Sequence, residues 1–390
     1  MRRLEWRQET RAPRCVAAVL DGLRFDSGPV NWPHADQREW DRAVYYLHRN
    51  QLTLIARHVC GTKLHFDQFY RANAARLARL RATTEEVLAG LQRAGIESAV
   101  LKGFARAADF VPEPDVRMHY DIDLYCPQRA EDAATVLRGI GYETIAGAES
   151  DASGHLAPLA RPTSWKWRDD FFDLETPAHV ELHHQLWMPQ IECFSLDGLE
   201  NFWHRREQAG PYCTLSRHDT LAYRCVHLLR HLLRGDIRAA GVYEIAYFLQ
   251  QNRMGDEFWT TWRSLYSDDL LRVQAVCFAL AQRWFGCEMH AIPLMALGGL
   301  SRRVCDWMQL SAASPVESFF TPAKHELALH FALLDSASAR FRVAMRRLLP
   351  LRHSAQMWED REAYHARLSS RAVYHAKALL PTLSKLLRAL

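Results

Sequence analysis

Two aspartates one residue apart are the first residues in this chain whose spacing suggests chemistry: Asp121 and Asp123, in Arg117-Met118-His119-Tyr120-Asp121-Ile122-Asp123-Leu124. On a strand, residues two apart leave by the same face, so both carboxylates would stand together while Ile122 and Leu124 turn away. Carboxylates held that close repel unless a cation lies between them. A hard divalent ion such as magnesium, with manganese as the alternative, takes oxygen ligands of this kind together with phosphate oxygens. Glu181, set between Val180 and Leu182 in His179-Val180-Glu181-Leu182-His183, is the candidate third carboxylate. Upstream, Leu101-Lys102-Gly103 ends a predicted strand at a predicted helix start, where backbone N–H groups and a lysine can meet phosphate oxygens. Arg117, four residues before Asp121, is a further cation.

The elements that must position these residues follow from periodicity. Trp40, Val44, Leu47, Leu52 and Ile55 predict a helix over residues 36–59, and the stretch to Arg81 also reads as helical. Thr83-Thr84-Glu85-Glu86 reads as an N-cap with acids in the first turn of a helix that Gly95 ends. Strands are expected at Ser98–Leu101, His119–Cys126, Gly141–Ile145 and His179–His183, with helices at Phe104–Phe110 and Pro127–Gly139 and a loop over 146–161. Beyond Ser216 strand signals fade and helical stretches run from Asp219 to Leu233, from Arg238 to Gln250 and onward to Leu390. The expected class is α+β: a small mixed sheet with flanking helices, behind a helical N-terminal segment and ahead of a large helical C-terminal domain.

Val100-Leu101-Lys102-Gly103, a proline-containing gap, Arg117, Asp121-Ile122-Asp123-Leu124, a helix, Gly141-Tyr142 and then Val180-Glu181-Leu182-His183 with Trp187 behind it form a recognisable series. It resembles the uncharacterised nucleotidyltransferase family of the polymerase-β-like superfamily. The resemblance extends from Trp40 to the helical segment Leu221–Leu249, with His227, His231 and Glu244, and so covers about residues 36 to 250. The expected domains are 1–81 (helical), 82–215 (nucleotidyltransferase core) and 216–390 (helical), and the resemblance implies transfer of a nucleotidyl or phosphoryl group from a nucleoside triphosphate, ATP being the expected donor. The acceptor implied is a hydroxyl-bearing small molecule or a peptide. Asp121, Asp123 and Glu181 would be the metal and catalytic residues, Glu181 as ligand or as base. Lys102, Gly103, Arg117, His183, His227 and His231 would face the nucleotide. Three positions depart from the family pattern: Tyr120 replaces a small residue, Glu181 an aspartate, and Tyr125-Cys126 a more aliphatic strand end. A rival from another class is a non-catalytic nucleotide-binding or interaction module of the same fold.

The histidines allow several readings. His183 shares the face of Glu181, whereas His184 should point away. His227 and His231, at i, i+4 on a helix, fit a polar face toward nucleotide or acceptor, a hydrogen-bonded pair, or a zinc-hydrolase site. The zinc site lacks the glutamate of an HExxH. Arg340, Arg342, Arg346, Arg347 and Arg352 fit either a solvated helix face or the border of an anionic ligand. Trp165, Trp167 and Trp187 could stack a base, but core packing is the default for aromatics.

No GxGxxG, P-loop or GxSxG occurs, which removes the main supports of dehydrogenase, P-loop NTPase and α/β-hydrolase readings. With 48% hydrophobic and 24% charged residues the chain should fold, and a net charge of +4 is too small to imply nucleic acid. The nine cysteines form no CxxC pair and read as reduced thiols. No window approaches the roughly 18 to 20 uncharged residues that span a bilayer, and no signal peptide is recognised, so a cytoplasmic location is expected.

Overall fold

The computed structural model describes residues 3–28, 32–61, 66–103, 105–145 and 154–348, together with 373, 377 and 378. Among them seven short strands form one mixed sheet: β1 (Ala99–Val100), β2 (Asp121–Tyr125), β3 (Glu143–Thr144), β4 (Leu159–Ala160), β5 (His179–His183), β6 (Glu207–Ala209) and β7 (Tyr212–Thr214). The spatial order is β3-β4-β5-β2-β1-β7-β6. β2 and β5 run parallel at its centre, β1 is antiparallel to β2, and β4 is antiparallel to β5.

Alternation along the central strands divides the sheet into two unlike faces. Ile122, Leu124, Val180 and Leu182 are buried with Val87, Leu91, Ala133, Ala134 and Leu137 of the helices Asp67–Arg93 and Ala130–Gly139. Each such side chain contributes about 1.5–3 kcal/mol when withdrawn from water, so this face anchors the strands. A second and larger apolar core extends from Leu4 through the helices Arg217–Arg234, Ala239–Gln251 and Asp268–Phe285. The Ser216 side chain caps the first of these by accepting from the Asp219 amide, and Gly235 ends it at φ +73°.

The α+β class and the mixed sheet are those the sequence predicts, and the described residues beyond Ser216 contain no strand. Several elements differ. Among the described residues 105–110 there is no α-helix: Lys102 and Gly103 both take left-handed backbone, at φ +47° and +58°, and a short 3-10 turn, Ala107–Asp109, follows. Thr83 and Thr84 do not begin a helix. They lie inside the continuous helix Asp67–Arg93, where the Thr84 hydroxyl donates to the Leu80 carbonyl. The helix expected over 36–59 is broken at Gln51, φ +58°, into Gln37–Arg49 and Thr53–Cys60. The hairpin β6–β7 and strand β4 lie where no strand was expected, and residues 146–153 of the expected loop fall outside the described residues.

Candidate active site

The second face of β2 and β5 carries the carboxylates singled out in the sequence. Their parallel register places Asp121 beside His179, Asp123 beside Glu181 and Tyr125 beside His183. Because side chains alternate, these six residues leave the sheet together, opposite the aliphatic face. Asp123, His179 and His183 are buried and Glu181 is mostly so. Two groupings bring possible ligand atoms within 4.8 Å of one another: Asp121, His179 and Glu181, and Asp123, Glu181 and His183. Carboxylates and imidazoles converging on a shared glutamate are a donor set that fits divalent cations.

Asp123 is fixed from both sides. The ammonium of Lys102 lies 3.0 Å from its Oδ2, and Nε2 of His183 lies 2.9 Å from its Oδ1. An ionised carboxylate only accepts, so His183 Nε2 carries the proton. Burial works against the charge of Asp123, but Lys102 and the His183 hydrogen bond outweigh it and hold this carboxyl well below the usual range. Burial lowers His183 to about 4, which keeps its imidazole neutral. Glu181 goes the other way. Burial raises it, and the negative charges of Asp123 and Asp121 add to that rise against the opposing pull of His155.

Lys102 reaches this position from strained backbone, since left-handed φ costs a non-glycine residue about 1–2 kcal/mol. Its Nζ also lies 3.0 Å from Nε2 of His227, which accepts from it. Burial opposes the charge on Lys102, but Asp123 keeps its pKa above the ordinary value. His227 in turn lies 3.3 Å from Nε2 of His231. Among the described residues, neither His227 nor His231 belongs to a grouping that could hold a metal, and the zinc-hydrolase reading has no ligand set.

Arg117 sits apart from the carboxylates. Its Nε donates to Glu244 at 2.6 Å and its Nη1 to His119 Nδ1 at 2.6 Å. Arg224 forms a second ion pair with Glu244 and lies over the Phe110 ring at 3.9 Å. Gly103 supplies left-handed backbone beside Lys102 but does not open an α-helix. Of the tryptophans, Trp165 and Trp187 are buried and donate to Asp173 and to the Phe194 carbonyl, while Trp167 is exposed. Three arginines of the run bond within the protein, while Arg342 is exposed: Arg346 donates to the Gln190 and Ile191 carbonyls, Arg347 pairs with Glu326, and Arg340 donates to Phe331 and Leu334 carbonyls. Arg352 lies outside the described residues.

The family model of the uncharacterised nucleotidyltransferases matches residues 36–286, well over half of the chain. The chain belongs to this nucleotidyltransferase family. The match holds the whole carboxylate face and the helices behind it, and extends past the residue near 250 where the motif resemblance ends. No curated protein and no solved structure matches the chain. Among the described residues no helix is long and apolar enough to cross a membrane.

Two site residues escape the motif reading. His179 faces Asp121, and the alternation His179-Val180-Glu181-Leu182-His183 already places it on the face of Glu181. His155 stands 3.5 Å from Glu181 Oε2 and bridges to His183 across the sheet. Nothing local in a loop rich in Gly, Ala, Ser and Pro marks it.

Proposed function

We propose that the chain moves a nucleotidyl group from a nucleoside triphosphate, with ATP the expected donor, to a hydroxyl-bearing small molecule or peptide. The observation that carries this reading is the pairing of Asp123 with Glu181 across parallel strands. It sets three carboxylates on one face beside Lys102 in a chain of nucleotidyltransferase family. Asp121, Asp123 and Glu181 would hold divalent metal, magnesium or manganese, which when bound lowers the pKa of an attacking hydroxyl and neutralises departing pyrophosphate.

The chain's own residues supply the rest. Lys102 and His183 fix the Asp123 carboxylate in one orientation, so it needs no reorganisation when a cation arrives. Glu181, on the same face as Asp123, would act either as a metal ligand alone or also as the base that takes the acceptor's proton at a carboxylate oxygen. Lys102 offers positive charge to the triphosphate, with His227 holding its ammonium in place and His231 backing His227. Arg117 and Arg224 are both held by Glu244.

The test is incubation with magnesium or manganese, each of the four nucleoside triphosphates and a panel of acceptors, with pyrophosphate and adduct read by mass spectrometry. Wild type should release pyrophosphate and mark one acceptor class, and Asp121→Asn or Asp123→Asn should fall by about 10³-fold or more, the several kcal/mol that metal catalysis contributes. Nucleotide binding without turnover across the panel would instead support the non-catalytic module. Indifference of both binding and turnover to the two substitutions would overturn the site.

A further inference from the structure

Tyr45, Trp167 and Phe319 are far apart in sequence and 42%, 41% and 39% exposed, yet their rings belong to one connected strip. The buried ring of Phe171 meets Trp167 at 5.2 Å and Tyr45 at 5.8 Å, and Tyr45 meets Phe319 at 6.1 Å. The rings come from the loop before β5, the helix Gln37–Arg49 and the helix Ser314–Phe320. A single exposed apolar side chain needs no explanation, whereas a contiguous set marks a surface that something covers.

Two further observations bear on what covers it. The strip adjoins the carboxylate site: Tyr120, the residue before Asp121, donates its hydroxyl to the Phe171 carbonyl at 3.1 Å. Tyr120 stands where the family pattern has a small residue, and Phe319 lies beyond the matched residues 36–286, so the strip draws on residues outside that pattern. Its border on the helix side is basic. Arg42, Tyr45 and Arg49 are all exposed and lie three and four residues apart on one helix face. Arg42 lies over the Phe320 ring at 5.6 Å, and among the described residues neither it nor Arg49 has a carboxylate within ion-pair reach. The adjacent Asp41 accepts from Gln37 instead. On the loop side the exposed charges are mixed, Lys166 and Arg168 against Asp169 and Asp170.

We propose that this strip docks the acceptor, and that the acceptor is a peptide segment carrying aromatic or aliphatic side chains beside carboxylates. Exposed Tyr, Trp and Arg are the residues that anchor protein partners. Four connected rings exceed what one small acceptor covers, while an extended segment can engage them in turn. A nucleic-acid backbone along the strip would run its phosphates against Asp169 and Asp170, whereas a segment with a few carboxylates can meet Arg42 and Arg49 and leave those acids alone. The inference rests on the transfer reading above for the acceptor's role, but not for the docking itself.

The experiment selects a random linear peptide library on the full chain without nucleotide, then measures the enriched peptides by fluorescence anisotropy. They should combine aromatic or aliphatic residues with Asp or Glu, and should bind Tyr45→Ala/Trp167→Ala about 10- to 100-fold more weakly than wild type. Arg42→Gln/Arg49→Gln should weaken them less and should flatten the dependence of binding on salt. Circular dichroism checks that each variant folds, and Trp167→Ala alone, at an exposed loop position, gives the same reading should the double variant fail. No enrichment, or peptides that bind the aromatic variant as well as wild type, overturns the inference. So does a labelled single-stranded oligonucleotide that displaces the peptides through the same residues. With ATP and magnesium, wild type should label bound peptides that contain Ser, Thr or Tyr, and Asp123→Asn should not. A small-molecule acceptor labelled equally by wild type and the aromatic variant, with peptides unlabelled, overturns the inference and leaves the transfer reading intact. Peptides that bind the strip while no acceptor of any class is labelled overturn the transfer reading and leave the docking surface standing.

Discussion

The Arg117–Glu244–Arg224 cluster and the carboxylate face of β2 and β5 are both buried and both charged, yet they are assembled differently. Around Glu244 the acid is shared by two guanidiniums, the Arg117 contact being 2.6 Å, and its carboxyl is held below the ordinary range: burial opposes this, but Arg117 and Arg224 prevail. On β2 and β5, three carboxylates share one ammonium, and Glu181 is raised by burial and by its acidic neighbours. A structural cluster is expected to supply its own counter-charges, because an unpaired buried charge is costly. Three carboxylates facing one ammonium leave a charge that a divalent ion would offset. Charge balance therefore separates scaffold from site here more sharply than burial does.

The largest expected effect is on the balanced side. Glu244→Gln leaves two buried guanidiniums without their acid and should cost about 3–5 kcal/mol, read by urea denaturation, with no recovery when divalent ion is added. A loss below about 1 kcal/mol would show that the arginines find other partners and would break the comparison. Next is Lys102→Met, which strips Asp123 of its ammonium and should cost the metal-free protein about 2–3 kcal/mol. Here millimolar manganese should restore much of the loss, since an ion supplies the missing charge. Rescue of Lys102→Met but not of Glu244→Gln distinguishes a site from a scaffold. Equal response of the two would erase the distinction.

How far these clusters were legible differs for the same physical reason. A period of two is a local property, so Asp121, Asp123 and Glu181 could be assigned to strand faces from their neighbours alone, and the observed register agrees. The same alternation exposes His179, had its imidazole been given the weight of the carboxylates. Arg117 and Glu244 are 127 residues apart, and no local pattern announces that they pair. The helix expected at Phe104–Phe110 fails because helix-forming residues there are overruled by the left-handed turn at Lys102-Gly103 and by Phe110 packing under Arg224. The β6–β7 hairpin did carry a signal: Gly210-Pro211 is a turn dipeptide, and Gly210 sits at φ +59° between the strands. His155 depends on a bridge to His183 across the sheet, which only the assembled fold creates.

The smallest effect is the most discriminating, because its sign is opposite to that of an ion-paired acid such as Glu244. Glu181 has a folded pKa raised above its unfolded value, so its ionised form is the one that folding disfavours. Its contribution to stability is greatest below the unfolded value and is lost as pH rises through the folded one. Neutral pH therefore finds the metal-free protein holding a destabilising charge. Glu181→Gln, which keeps the shape and removes the charge, should stabilise the metal-free protein at neutral pH. The gain should shrink on acidification, as the wild-type carboxyl takes up its proton, and should disappear or reverse when manganese is present. Thermal melts of both proteins across this range, with and without the ion, decide the matter. If Glu181→Gln destabilises the metal-free protein at neutral pH, the glutamate is satisfied by His155 and His179 alone, and the carboxylate face is balanced as the Glu244 cluster is.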